Sequence, residues 1–264
     1  MQNSYVVSFL PGSSGRFLAS IIWCLVNEVD YNLQITLFNS NHHAHLYNNT
    51  ITNIDKLDNY SGIDYEQLSW NKIENICAFH SHIYLDFDKI RNNPDLVDTK
   101  FIIIRVNEND LLECFCNENY KNHLQGLLGG HGTMFFPEWI YNDYVKLFGY
   151  IDKDCLASKL DSDKFQDIIL NMYPSYLDRS KDITHTEYRW NFVDVRVPED
   201  FTNRTLIVEY SDIFKDNGTV VLNQLANFFN KTPSNYVLEK FQEYVSGRNK
   251  FIKEHLYKII HLQS

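Results

Sequence analysis

Proline and glycine are scarce, 6 and 10 residues among 264, and no segment reads as a low-complexity linker or as a repeat of about 20 to 50 residues. Cysteine is rarer still. The five residues Cys24, Cys77, Cys114, Cys116 and Cys155 are odd in number. Cys114-x-Cys116 has no partner pair, which argues against a zinc knuckle. Positive charge is short as well. Lys and Arg total 24 against 34 Asp and Glu, a formal net charge of −10. That balance excludes sequence-independent binding to duplex nucleic acid, which needs an electropositive surface, but leaves room for a local basic pocket for a small anion. No apolar run reaches the ~18 residues of a membrane span.

What remains is an ordinary globular composition. Hydrophobic residues are 44% and charged residues 22%, enough for one sizeable core and hence one domain over residues 1–264. Unpaired cysteines fit a reducing compartment. The apolar run Val6 to Leu10 is too short for a secretory signal and leads into Pro11-Gly12 rather than a small-residue cleavage site. A cytoplasmic location is therefore expected. Abundant Asn and scarce Gly, Pro and Ala read as AT-rich coding, pointing to a viral or AT-rich microbial origin.

Hydrophobic periodicity alternates strands and helices. Ser4 to Leu10 reads as a buried strand. Arg16 to Glu28 reads as a helix with Phe17, Ile21, Cys24 and Leu25 on one face. Residues 31–37 alternate and read as a strand or a loop edge, and residues 39–60 as polar loop or short irregular helix. Ile76 to His80 is a short apolar run. Lys100 to Arg105 is the strongest strand, and its unbroken β-branched centre predicts burial on both faces, as in a parallel sheet. Asp110 to Lys121 reads as helix and Leu206 to Glu209 as strand. Thr219 to Phe229 reads as an amphipathic helix with Val220, Val221, Leu225 and Phe228 inward. The tail from Tyr236 to His261 reads as helix broken near Ser246-Gly247. Residues 126–195 carry no clear pattern, and Phe135, Phe136 and Trp139 read as core. The alternation predicts an α/β fold with a mostly parallel sheet, whose ligands bind at the carboxyl ends of the strands.

Four polar clusters fall at those strand ends. Pro11-Gly12-Ser13-Ser14-Gly15-Arg16 follows the first strand and opens the first helix. Two glycines, a helix N-terminus and a guanidinium supply the physics of a phosphate cradle, although a tight turn without a ligand uses the same residues. A Walker A lysine is absent. Phe79-His80-Ser81-His82 ends a strand, and histidine suits proton transfer near neutrality; polar residues at a strand end are the plainer reading. Arg105 ends the strongest strand, with an anion or a carboxylate as its partner. Glu209-Tyr210-Ser211-Asp212 follows the next strand and could serve as a helix cap. His42-His43-x-His45 has ligand-like spacing but no acidic or cysteine partner, so no metal site is assigned.

The order of these clusters resembles a sulfotransferase of the P-loop-like kind that uses 3′-phosphoadenosine 5′-phosphosulfate. Val6 to Leu25 is similar to that family's 5′-phosphosulfate loop through Pro11, Ser14 and Gly15. Phe79 to Ile83 resembles its Lys-Thr-His-Leu segment, with His82 at the catalytic base. Phe101 to Phe115 resembles its 3′-phosphate segment, a strand ending in Arg, here Arg105, and a helix carrying a Ser, here Cys114 after one inserted residue. Thr205 to Lys231 resembles its Tyr-Glu-Asp-Leu strand and following helix and includes Tyr210. Arg248 and Lys250 stand near the end where the family carries an Arg-Lys-Gly element. These segments cover about a third of the chain.

The resemblance implies a three-layer P-loop NTPase-like fold with a mostly parallel central sheet flanked by helices. It implies a donor held by Gly12, Ser13, Ser14, Gly15, Arg16, Arg105, Cys114, Tyr210 and Arg248, with His82 and Arg16 catalytic and no metal. The acceptor would be a small-molecule or glycan hydroxyl, or an amine, met by insertions at about residues 40–75 and 120–200. Two other expectations stand beside it: a non-catalytic binding or structural protein on a degenerate fold of this kind, and a nucleotide or small-molecule kinase. The kinase requires a P-loop Lys and a following Ser or Thr, where this chain has Arg16 and Phe17.

Overall fold

The run Lys100–Arg105 forms a central strand, β3, whose four interior residues Phe101, Ile102, Ile103 and Ile104 are fully buried. The structure, a computed structural model, describes residues 5–10, 12–28, 78–81, 85–117, 138–181 and 189–258. Besides β3 it contains β1 (Tyr5–Ser8), β2 (Ala78–Ser81) and β4 (Thr205–Glu209). The four strands make one sheet in the order β2-β1-β3-β4. Every pairing is parallel, with Ser8 opposite Ser81 and Ile103, and Arg105 opposite Glu209. The carboxyl ends of all four strands therefore share one edge, and the four polar clusters start along it. The chain passes from β1 to β2 on one side and then to β3 on the other, so the order reverses between β1 and β3.

Alternation along the strands sends neighbouring residues to opposite faces. Tyr5 of β1 points to one face, where its hydroxyl reaches the Ala19 carbonyl in helix α1 (Gly15–Asn27) and its ring meets Phe229 edge-on. Phe229 closes a later helix, α7 (Thr219–Phe229). Lys100, opposite Tyr5, donates to the Phe228 carbonyl at 2.7 Å on that same face. Phe101 points to the other face and packs with Phe87, in helix α2 (Phe87–Arg91), and with Phe201, in the 3-10 turn Glu199–Arg204. Helical segments thus cover both faces of a small parallel sheet.

A second apolar cluster lies beside the first. It joins residues of helix α3 (111–117), α4 (Glu138–Phe148), α5 (Leu156–Lys159), α6 (Ser162–Lys181) and the end of α8 (Asn235–His255). Phe115, Ile140, Phe165, Ile169 and Phe251 are among its buried members. Three helices therefore occupy the stretch 138–181, where the sequence pattern was opaque.

Two expectations are corrected here. Helix α8 runs unbroken through Ser246 and Gly247. Glycine costs about 1 kcal/mol in a helix, and burial of Tyr244, Val245, Phe251 and Ile252 on either side outweighs it. The inner face of α7 is Val221, Leu222, Leu225, Ala226 and Phe229, while Val220 and Phe228 sit half-buried at its margin. The helix is turned by one residue relative to the sequence reading.

Residues 31–37, 40–75, the His42-His43-x-His45 run, Cys77, His82, Phe135 and Phe136 lie outside the described residues, as do the side chains of Arg16, His80 and Trp139.

Candidate functional site

The loop between β1 and α1 is a turn closed on itself. The Ser13 amide donates to the Leu10 carbonyl at 3.0 Å, and the Ser13 hydroxyl donates to the same oxygen at 2.6 Å. Gly12 has φ +83, a conformation that glycine adopts without penalty. It also needs the absent side chain, because a Cβ there would stand 2.0 Å from the Cys114 carbonyl oxygen. Gly15 is pressed against the Phe9 ring, where a Cβ would stand 1.9 Å from the nearest ring atom. The loop is thereby pinned between the sheet and α3.

Ser14, the residue before α1, adopts φ 66 and gives the helix no side-chain cap. Its hydroxyl instead accepts from Tyr244 of α8 at 2.8 Å. The amides of the first turn of α1 are thus left without a serine cap, and no acidic residue stands among them. A helix start in that state favours anionic groups.

Helix α3 contributes Glu113 and Asn117, one turn apart on one face. The Asn117 amide donates from Nδ2 to the Gly12 carbonyl at 3.3 Å and to the Tyr210 hydroxyl at 3.1 Å. Its Oδ1 is buried and has no hydrogen-bond partner among the described residues. The Tyr210 hydroxyl in turn donates to Glu113 Oε1 at 2.6 Å. Arg248 of α8 completes the cluster. Its Nε donates to Glu113 Oε1 at 2.9 Å, and its Nη2 donates to both carboxylate oxygens. The guanidinium lies over the Phe214 ring, 4.0 Å from the centroid. Both partners are mostly enclosed, Arg248 17% and Glu113 14% exposed at the side chain.

Burial and the Glu113 charge set the protonation states nearby. Burial first, then Glu113, pushes the Tyr210 phenol well above its ordinary value, so it remains a donor. Burial, assisted by Glu113, raises the Asp110 carboxyl. Burial pushes the Tyr244 phenol to about 12. The Cys114 thiol is fully buried and raised well above the usual thiol range, again chiefly by burial. Cys114 meets the loop through its carbonyl, and its neutral thiol offers no surface to a ligand.

Arg105 stands at the end of β3 and binds the carboxylate of Glu209 on the adjacent strand, directly opposite in the register. Lys215 pairs with Asp212 at 2.5 Å just beyond β4. Arg105, Lys215 and Arg248 are thus each matched by a carboxylate.

The chain matches no protein-family model, no curated protein and no solved structure.

Of the residues that the sequence pointed to, Gly12, Ser13, Ser14, Gly15, Cys114, Tyr210 and Arg248 converge on one place, and Arg105 stands on the same sheet edge. His82 directly follows the last residue of β2 but lies outside the described residues, and Arg16 is located by its backbone only, at the second position of α1. Sequence reasoning passed over Glu113, Asn117, Phe214 and Tyr244. Glu113 carries no local signal, because its partners Tyr210 and Arg248 stand 97 and 135 residues away. Among the described residues no group of three His, Cys, Asp or Glu is arranged to hold a metal ion.

Proposed function

We propose that this chain is a sulfotransferase on a P-loop NTPase-like fold, moving a sulfuryl group from 3′-phosphoadenosine 5′-phosphosulfate to a hydroxyl or amine acceptor. The observation that carries the reading is the Gly12–Gly15 turn. It leaves β1 at the reversal point of a parallel sheet, opens α1 with an uncapped N-terminus, and shares its sheet edge with Arg105. A phosphosulfate seated there gains backbone donors and the favourable end of α1. Arg105 is assigned to the 3′-phosphate, and Tyr210, through Glu113 and Asn117, holds the surrounding frame.

In the proposed step an acceptor oxygen attacks sulfur in line with the bond to the leaving phosphate. His82 takes the acceptor proton. The bond between sulfur and the bridging oxygen breaks, and 3′-phosphoadenosine 5′-phosphate leaves with that electron pair. Arg16 and the loop amides stabilise the charge that develops on the leaving oxygen. The acceptor pocket is assigned to the insertions at about residues 40–75 and 120–200.

The reading is tested by transfer of labelled sulfuryl from the donor to a panel of phenols, alcohols, amines and simple glycans. It predicts turnover on at least one class, and a loss of roughly 100-fold or more in His82→Ala, the size expected for a general base. No transfer to any class, with a folded protein, contradicts it.

One observation favours a second reading. Glu113 and Glu209 already neutralise two of the arginines assigned to the donor. A binding or structural protein without catalysis on the same frame accounts for that pairing, and it predicts nucleotide binding without turnover, or neither.

A further inference from the structure

Arg248 and Tyr244 lie four residues apart on α8, hence on one face and one turn, about 5.4 Å, from each other. Tyr244 touches the loop itself through Ser14. The guanidinium one turn away is therefore held beside the loop, its plane fixed by the Phe214 ring beneath it. It does not face the loop empty-handed. Three of its donor bonds converge on the Glu113 carboxylate, and Nη1 donates to the Asn249 side chain at 3.1 Å. A carboxylate on a guanidinium fork has the same planar, two-oxygen geometry as a phosphate on it.

The other contacts of Glu113 bind this carboxylate into the loop. Tyr210 donates to it, and the same hydroxyl accepts from Asn117, which also holds the Gly12 carbonyl. An enclosed pair of this kind gains little net stability, because desolvation of both ions opposes their attraction. What it does accomplish is to cancel the one mostly enclosed described cation next to the loop.

We infer that Glu113 is an internal anion seated in the Arg248 fork, and that a phosphate-bearing ligand engages Arg248 by exchange, displacing this carboxylate. The ligand class is an oxyanion with at least two phosphate-type oxygens; its identity as the donor nucleotide rests on the function proposed above. Glu113 then sets the affinity of the site from within. A ligand too weakly charged to win the fork is rejected, and binding is reported through the Tyr210 hydrogen bond that Glu113 releases, and from Tyr210 to Asn117 and the Gly12 carbonyl.

The inference predicts an unusual sign: removing a charged residue from the site strengthens anion binding. Inorganic pyrophosphate and 3′-phosphoadenosine 5′-phosphate are titrated calorimetrically into the wild type, Glu113→Gln and Glu113→Gln/Arg248→Ala. Pyrophosphate should bind Glu113→Gln at least about tenfold more tightly than the wild type, and the double variant should lose the gain. Equal or weaker pyrophosphate binding in Glu113→Gln, including none in either protein, overturns the exchange. If Glu113→Gln does not fold, Glu113→Asp serves in its place. It keeps the charge but is too short to span the fork, so the gain should be smaller and of the same sign. The two readings fail separately. A pyrophosphate gain with no nucleotide binding in any of the proteins keeps the exchange and removes the donor assignment. Nucleotide binding in the wild type with no pyrophosphate gain in Glu113→Gln keeps the donor assignment and removes the exchange.

Discussion

Gly12 lies so close to Cys114 that a Cβ on the glycine would stand 2.0 Å from the cysteine carbonyl oxygen. The loop after β1 and the helix after β3 are therefore in contact at backbone level, across the line where the sheet order reverses. Nothing larger than hydrogen fits between them, and φ +83 disfavours any other residue independently.

Gly12→Ala is expected to displace α3 and the loop together. The left-handed backbone alone costs about 1–2 kcal/mol, and the clash with a carbonyl of a packed helix adds to it. Gly149 supplies the control, because it has φ +91 but no atom within 4 Å of the point where a methyl carbon would stand. Gly149→Ala should cost only the backbone term of about 1–2 kcal/mol. Urea denaturation of the two variants checks the ordering, and equal losses would contradict the close approach.

Tyr244 holds the loop by a hydroxyl and the first helix by a ring. The ring stacks on Phe17 with centroids 3.7 Å apart, and the hydroxyl donates to Ser14. Tyr244→Phe keeps the stack and should lose about 1 kcal/mol for one hydrogen bond. Tyr244→Ala should lose about 3–5 kcal/mol, in the range of other buried aromatic truncations. Denaturation midpoints with unchanged slopes would establish both values.

The fold and the site were legible to different depths. Lys100–Arg105 and Thr219–Phe229 were bounded correctly because an unbroken β-branched run and an amphipathic repeat are local signals. The parallel sheet followed from the strand character, and so did the gathering of four clusters at one edge. Gly247 misled because its helix-breaking tendency is local, whereas the burial that overrides it comes from partners distant in sequence. Glu113 was missed for the same reason. Its partners Tyr210 and Arg248 stand 97 and 135 residues away, and no spacing rule connects them. Arg105 was given an anion or a carboxylate as alternatives, and the carboxylate is Glu209, across the β3–β4 register.

Asp110 contributes a pH dependence of its own. Burial and the neighbouring Glu113 raise its carboxyl above the ordinary value of 3.8. The folded state therefore binds the proton more tightly than the unfolded chain. The stability this contributes is fully present below 3.8 and is lost as pH rises through the folded value. At neutral pH the ionised Asp110 is a liability, so Asp110→Asn should stabilise the protein there, with the advantage shrinking as pH falls toward 3.8. Urea midpoints of the wild type and the variant across that range check the sign. A variant less stable than the wild type at neutral pH would contradict it.

The most direct test of the account compares 3′-phosphoadenosine 5′-phosphate with adenosine 5′-phosphate, titrated into the wild type and Arg105→Ala. The account predicts that the wild type prefers the 3′-phosphorylated nucleotide by at least about tenfold, or about 1.4 kcal/mol, and that Arg105→Ala abolishes the preference while remaining folded. A wild type that binds neither nucleotide, or a preference that survives the loss of Arg105, would contradict the assignment of this sheet edge as a sulfuryl-donor site.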